Sequence, residues 1–504
     1  MQSLACILAA AAALGGSARW LRIAQREHYI TGSVTRFAIR WWISRPLNVV
    51  LLILLLGALA AGLSGLWEGA VAAAVIGLAG PVGLSYRGRS AKLAWTRRLR
   101  LVAAVTALVT VALTGAAAAG GVLPQVSAAV AALMPVLADA ALAATAPVEK
   151  RLGGRFVRQA TAKLRQVAPR VIAITGSYGK TSTKLYVGHL LREKYVTQTS
   201  PASFNNSAGL SRAINERLAP GTEVFVAEMG TYGRGEIRSM CAWIRPEISV
   251  ITAIGPVHLE RMRTLDNIAL FKSEILDTAQ VAVLNTDDPR LAAIGVAFRD
   301  GGGKLIQCST SDPAADVYVA PDGASISVNG HALGGTKLLG AFPANLACAI
   351  GVAVALEIPE TDIAERLATL PRPPHRQTIQ KSETGLHVID DTYNSNPQGC
   401  EGAISTLTSV GGAHRTVIVT PGMVELGSTQ FAANEEFARQ AAAAATDLLV
   451  VGRTNRRSLL RGASGGGAAV QVLAHREDAV SWIRANLQAG DAVLYENDLP
   501  DHYP

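Results

Sequence analysis

Residues 171–184 read VIAITGSYGKTSTK: an apolar run ends at a threonine, two glycines bracket a short turn, and the chain resumes with Lys-Thr-Ser. A strand that passes through a glycine turn straight into a helix leaves backbone N–H groups and the helix N-terminus aimed at one spot, where phosphate oxygens are held. Gly176, Ser177, Gly179, Lys180, Thr181 and Ser182 form this predicted phosphate loop. Lys180 would neutralise the β and γ phosphates, and the Thr181 hydroxyl would ligate Mg²⁺. The spacing is shorter than the common Walker form, because the position five before Gly179 is Ile174 rather than glycine.

The pattern continues downstream. EVFVAEM, EISVITAI and VAVLN are further short β-branched runs, alternating with helical stretches from Thr181 and around 264–277. Such alternation is the mark of a parallel sheet wrapped by helices, and these sheets bind ligands at the carboxyl ends of their strands. Glu228 ends one run, and His258 follows another after a Gly-Pro turn. Together they suit metal contacts beside a phosphate loop. Taken singly, a glutamate is ordinarily solvated and a histidine structural, and Lys272 in LFKSEIL would pass for a helix-surface lysine.

The N-terminal third has a different character. Residues 1–170 hold 19 Lys and Arg against 4 Asp and Glu, while 171–504 hold 28 against 34, so the net charge of +9 is an N-terminal property and does not argue for nucleic acid. Apolar stretches at 3–18, 47–63, 69–85, 101–119 and 122–146 predict four or five transmembrane spans, in keeping with 49% hydrophobic but only 5% aromatic residues. Arg19, Arg22, Arg26, Arg36, Arg40 and Arg45 fall in one intervening loop, and Arg87, Arg89, Lys92, Arg97, Arg98 and Arg100 in another. By the positive-inside rule both loops face the cytoplasm. The expectation is a multi-pass protein of the cytoplasmic membrane with its catalytic part in the cytoplasm. Trp41 and Trp42 fit an interfacial belt, Asp139 a helix end or bundle interior, and 149–167 a basic segment against anionic membrane lipid. The five cysteines show no paired spacing, which argues against a zinc site and a disulfide framework.

TGSYGKTS, FNNSAG, AEMG and ITAIGPVHLERMRTLDNIALFKSEI occur in this order, followed by LNTDDP, LLGAFPANLACAI, PRPPHR, VIDDTYNSNP and PGMVELG. Over roughly 170–495 this ordered set resembles the Mur ligase family. The resemblance implies an α/β fold there, a P-loop-type parallel-sheet ATP-binding domain at 170–371 and a smaller Rossmann-like domain at 372–504; outside it stand the expected transmembrane helices at 1–148 and basic linker at 149–169. It implies that Lys180 binds phosphate, that Thr181 and Glu228 hold the Mg²⁺ of ATP, and that His258 and a carbamylated Lys272 serve a second Mg²⁺. Asn345, Arg376 and Asp391 would contact adenine, γ-phosphate and ribose, and Asn206 and Asn394 the substrate.

The implied reaction is stepwise: a cell-envelope precursor carboxylate attacks the γ-phosphate to give an acyl phosphate, and an amino acid or dipeptide amine then displaces phosphate to form an amide. The chain departs from the family pattern at Phe342, at Ala253, after PGMVELG, and at its C-terminus, GDAVLYENDLPDHYP, where a Lys-Gly-Ser ending is usual. Membrane spans stand where relatives carry a domain for a UDP-sugar peptide, which leaves the acceptor open. The rival functions are a polyglutamate-type synthase, against which DDTYNSNP and GMVELG speak, and a membrane protein with a non-ligating ATP-binding switch.

Overall fold

The computed structural model describes residues 1–84, 86, 93–201, 204–336, 343–371, 378–392, 395–411, 414–499 and 503. They fall into two compact units, Met1–Gly153 with the last residues from Leu499, and Gly154–Asp498. The first is helical: α1 Gln2–Arg26, α2 Ser33–Trp42, α3 Pro46–Leu63, α4 Trp67–Ala79, α5 Arg97–Ala119, α6 Leu123–Ala132 and α7 Met134–Val167, the last of which runs on into the second unit.

Among the described residues three helices, α1, α3 and α5, are long and apolar enough to cross a membrane, or four if α6 and α7, bent by 80°, count as one. The stretch at 69–85 falls short because Pro81 disfavours helix in the residue before it, and α4 stops at Ala79. Arg19 and Arg22, expected in a basic loop, lie within α1 and are buried. Trp41 and Trp42, expected at an interface, are buried in the apolar cluster of this unit. Asp139 caps α2: its carboxylate accepts from Gly32 N at 2.9 Å, Thr35 N at 2.7 Å and Thr35 Oγ1 at 2.6 Å.

The second unit holds two sheets. The larger contains β1 Arg170–Thr175, β2 Thr197–Thr199, β3 Val224–Glu228, β4 Ile248–Ile251, β5 Val281–Asn285, β6 Lys304–Ser309, β7 Val317–Val319, β8 Ile326–Val328 and β9 His331–Gly334. Their order is β2-β3-β1-β4-β5-β6-β7-β8-β9, parallel through β7 and antiparallel at β8 and β9. Helices α8 Lys180–Leu191, α9 Ser207–Arg217, α10 Glu236–Ile244, α11 Leu259–Met262, α12 Leu265–Ser273, α13 Pro289–Asp300, α14 Pro343–Ala355 and α15 Glu360–Leu367 accompany it. Central strands buried on both faces read as continuous apolar runs, as β1 and β3 do.

The smaller sheet contains β10 Thr378–Lys381, β11 His387–Asp391, β12 Thr416–Thr420, β13 Asp447–Val451, β14 Ala469–Leu473 and β15 Ala492–Glu496, with α16 Pro397–Gly411 after β11. Its order is β10-β11-β15-β12-β13-β14, with only β10 antiparallel. The segment from 154 to 167 packs Ala160 and Leu164 into the core beneath the larger sheet, and Lys163 Nζ donates to Asn215 O at 2.9 Å. Part of its apolar face is thus taken up by protein, with Phe156 left exposed.

Candidate functional site

Strand order reverses around β1, which has β3 on one side and β4 on the other, and such a switch point opens a crevice at the strand ends. The loop after β1 enters it. Gly179 adopts φ +79°, and a Cβ there would lie 1.8 Å from Asn345 Oδ1, so only glycine admits both this turn and the close approach of α14. α8 then starts at Lys180, with its first N–H groups turned to the loop. Ser177 Oγ donates to Gly255 O at 3.1 Å and accepts from Gly255 N at 2.9 Å, which ties the phosphate loop to the turn before His258. Ser182 is buried at the helix start.

Two lysines meet on one carbonyl. Lys180 Nζ donates to Gly176 O at 2.7 Å and Lys272 Nζ donates to the same oxygen at 3.0 Å. Lys272 is buried, and burial followed by the charge of Lys180 drives its ammonium well below the ordinary lysine range. It is therefore no helix-surface lysine. Glu228, at the end of β3, accepts from Thr181 Oγ1 at 3.0 Å and from Lys184 Nζ at 2.8 Å, both on Oε2. Burial pushes its carboxyl up, but the charges of Lys184 and Lys180 and the two hydrogen bonds outweigh it and hold the group below its ordinary value.

His258 stands in the left-handed region at φ +57°, with Nδ1 against Glu425 Oε2 of the smaller α/β part; Leu259 N donates to Glu425 O at 3.0 Å. Tyr232 meets its ring edge-on at 4.9 Å. Among the described residues no group of three or more His, Cys, Asp or Glu is placed to hold a metal ion. Asp391 ends β11, opposite Glu496 of β15 in the parallel register, and is buried. Asn206, expected to touch substrate, caps α9: its Oδ1 accepts from Gly209 N at 2.9 Å. Its neighbour Asn205 faces the site, with Nδ2 3.4 Å from Glu228 Oε1. Arg376 and Asn394, like Phe342, lie outside the described residues.

The structure thus brings Gly176, Lys180, Thr181, Glu228 and Lys272 together, with Asn345 against the loop, and engages His258 with Glu425. Sequence reasoning missed Lys184, Asn205 and Glu425. Lys184 follows Lys180 by one helical turn, so its side chain shares that face of α8, a signal present in KTSTK.

A phosphate loop at the switch point of a parallel sheet, followed by a second α/β part that reaches the same loops, is shared with known proteins. The chain matches the Mur ligase middle domain over residues 174–353 and the Mur ligase glutamate ligase domain over 375–495. It is 30% identical over 363 residues to the UDP-N-acetylmuramoyl-tripeptide–D-alanyl-D-alanine ligase of Mycobacterium leprae, covering 64% of this chain and 70% of that one. The enzyme of the same name from Mycobacterium tuberculosis strain H37Rv is 28% identical over 402 residues, covering 71% and 78%.

In fold it is similar to the MurF ligase of Thermotoga maritima in complex with ADP, with TM-score 0.58 and 23% identity over 69% of this chain and 80% of that one. MurF from Acinetobacter baumannii gives TM-score 0.59 at 23% identity, covering 68% and 77%. These findings define an ATP-dependent amide-bond-forming ligase of peptidoglycan synthesis. The chain belongs to the Mur ligase family. The expected location as a multi-pass protein of the cytoplasmic membrane is overturned by the likeness to these relatives. Membrane lipid as a partner finds no support in them.

Proposed function

We propose that the chain joins the carboxylate of a peptidoglycan precursor to an amine through an acyl phosphate, with Lys180, Thr181, Glu228 and Lys272 as the working group. The observation that carries this reading is the convergence of Lys180 and Lys272 on Gly176 O, beside a Thr181 hydroxyl that rests on Glu228. The names of the relatives make a UDP-N-acetylmuramoyl tripeptide the first candidate for the carboxylate and D-alanyl-D-alanine for the amine.

The residues fit a magnesium nucleotide. The loop offers a glycine cradle that a Cβ at 179 would fill, and Thr181 and Glu228 are hard oxygen donors of the kind Mg²⁺ takes together with phosphate oxygens. When bound, ATP and Mg²⁺ supply the phosphoryl group and the positive charge that lets two anions meet. Gly176, Ser177, Gly179, Ser182 and the α8 N-terminus hold and orient the phosphates, and Lys180 spreads its charge over them. Asn345 and Asp391 take adenine and ribose. His258 and Lys272 serve a second Mg²⁺, Lys272 as its carbamate: the neutral amine bonds to the carbon of CO₂ and releases one proton, which turns a cation into an anionic oxygen ligand.

The test is phosphate release and product mass with the full chain, ATP, Mg²⁺ and a panel of muramoyl peptides and amines. Amide product with amine-dependent phosphate release is expected. ATP turnover indifferent to every amine would sink the ligase chemistry in favour of a nucleotide switch.

A further inference from the structure

Lys184 has no part in the roles assigned above, yet it makes a buried ion pair in the site. Its Nζ lies 2.8 Å from Glu228 Oε2, and both side chains are buried, at 6% and 4% exposure. Burying a lysine costs stability unless it is paired, and here the partner is the carboxylate proposed for Mg²⁺. The same oxygen takes the Thr181 hydroxyl, whereas Oε1 has the 3.4 Å contact from Asn205. Backbone N of Glu228 donates to Ser200 Oγ at 3.0 Å, so the residue is held at its backbone as well as its side chain. Lys180 and Lys272 stand close by on Gly176 O. One carboxylate therefore faces two cationic groups, Lys184 and Lys180, while burial drives Lys272 toward its neutral amine.

We propose that Lys184 is a placeholder cation: it neutralises and orients Glu228 in the empty site and makes metal binding there conditional on the phosphate charge of the nucleotide. A divalent ion approaching Glu228 alone meets the charge of Lys184 a few ångströms away in a desolvated setting, where repulsion is strong. Brought in with a polyphosphate, the same ion is offset by several negative charges, and Lys184 becomes favourable to the complex. Lys184 is a positioning residue in this scheme, since it acts through Glu228. The proposal rests on the reading of Glu228 as a metal carboxylate.

The test is Mn²⁺ binding to the full chain, followed by electron paramagnetic resonance with and without ADP. The wild type is expected to take up Mn²⁺ at least about tenfold more tightly with ADP present. In Lys184→Gln the nucleotide-free affinity should rise about tenfold or more and the coupling to ADP should shrink, while Lys184→Arg should behave as the wild type. Unchanged or weaker nucleotide-free Mn²⁺ affinity in Lys184→Gln overturns the proposal. So does a wild type that binds Mn²⁺ equally with and without ADP, a result that requires no variant to fold. Glu228→Gln separates the two readings: if it leaves the ADP-dependent Mn²⁺ signal intact, the metal role of Glu228 fails, and the proposal falls with it.

Discussion

Glu496 offers a quantitative check on the smaller sheet. It ends β15 beside Asp391 of β11, is buried, accepts from Ser395 Oγ at 2.5 Å and from Cys400 Sγ at 3.3 Å on Oε1, and has no hydrogen bond on Oε2 among the described residues. Burial, then the charge of Asp391, pushes its carboxyl from 4.5 up to about 8. Below pH ~4.5 the folded and unfolded states both hold the proton and the full stability is present. Between there and about 8 the folded state keeps a proton that the unfolded state releases, so stability falls as pH rises and levels off above that range. At ~1.4 kcal/mol per unit, the whole loss is at most about 5 kcal/mol.

Glu496→Gln removes the titration and keeps the shape. It should be close to neutral at pH ~5 and stabilise the smaller sheet by a few kcal/mol at pH ~9. Because the chain has several parts, a single melting temperature is a poor readout. Amide exchange on β11 and β15, corrected for the intrinsic pH dependence of exchange, measures the affected part directly. Equal protection of the variant and wild type at pH ~9, or a variant less protected at every pH, would refute the assignment of that proton to Glu496.

Three further outcomes are expected. Lys272→Ala should lose about a hundredfold or more of amide-forming activity, partly restored by bicarbonate or short carboxylates that supply the missing oxygen ligand; undiminished activity would remove the carbamate role. Gly179→Ala should lose most of its nucleotide affinity in calorimetric titration, since left-handed alanine costs ~1–2 kcal/mol before the Cβ meets Asn345 Oδ1 at 1.8 Å; wild-type affinity would contradict the close approach. Asp139→Ala should release the three donors at the start of α2, at a cost of about 1–2 kcal/mol, seen as faster amide exchange over 32–36; unaltered exchange there would deny the capping role.

The phosphate loop was legible because its information is local: an apolar run, two glycines and a helix start need no distant partner to be recognised. Glu228 was legible for a related reason, since it ends a strand and strand ends carry sites. Lys184 was not, because its importance comes from burial against Glu228, 44 residues away in sequence. FNNSAG shows the limit at finer grain. Either asparagine could face the cleft, and which one does depends on where α9 starts: the helix takes Asn206 for its cap and leaves Asn205 for Glu228. In the N-terminal unit, hydropathy measured composition but not continuity. It ran the stretch at 69–85 past the Gly80-Pro81 break and treated Arg19 and Arg22 as loop residues although both lie inside a helix.

The two sheets present a controlled comparison of what sets a buried carboxylate's charge. Glu228 and Glu496 both end strands buried in parallel sheets, and they are 3% and 1% exposed. Burial raises both, so burial cannot be what separates the one held below its ordinary value from the other pushed up to about 8. Partners decide it. Glu228 has two lysines and a hydroxyl, and ionises; Glu496 has another carboxylate for a neighbour, and keeps its proton. At neutral pH the first is an anion surrounded by cations, open to exchanging one cation for another. The second keeps its proton beside Asp391. Removing one partner's charge, with Lys184→Gln on one side or Asp391→Asn on the other, should raise the first carboxyl and lower the second.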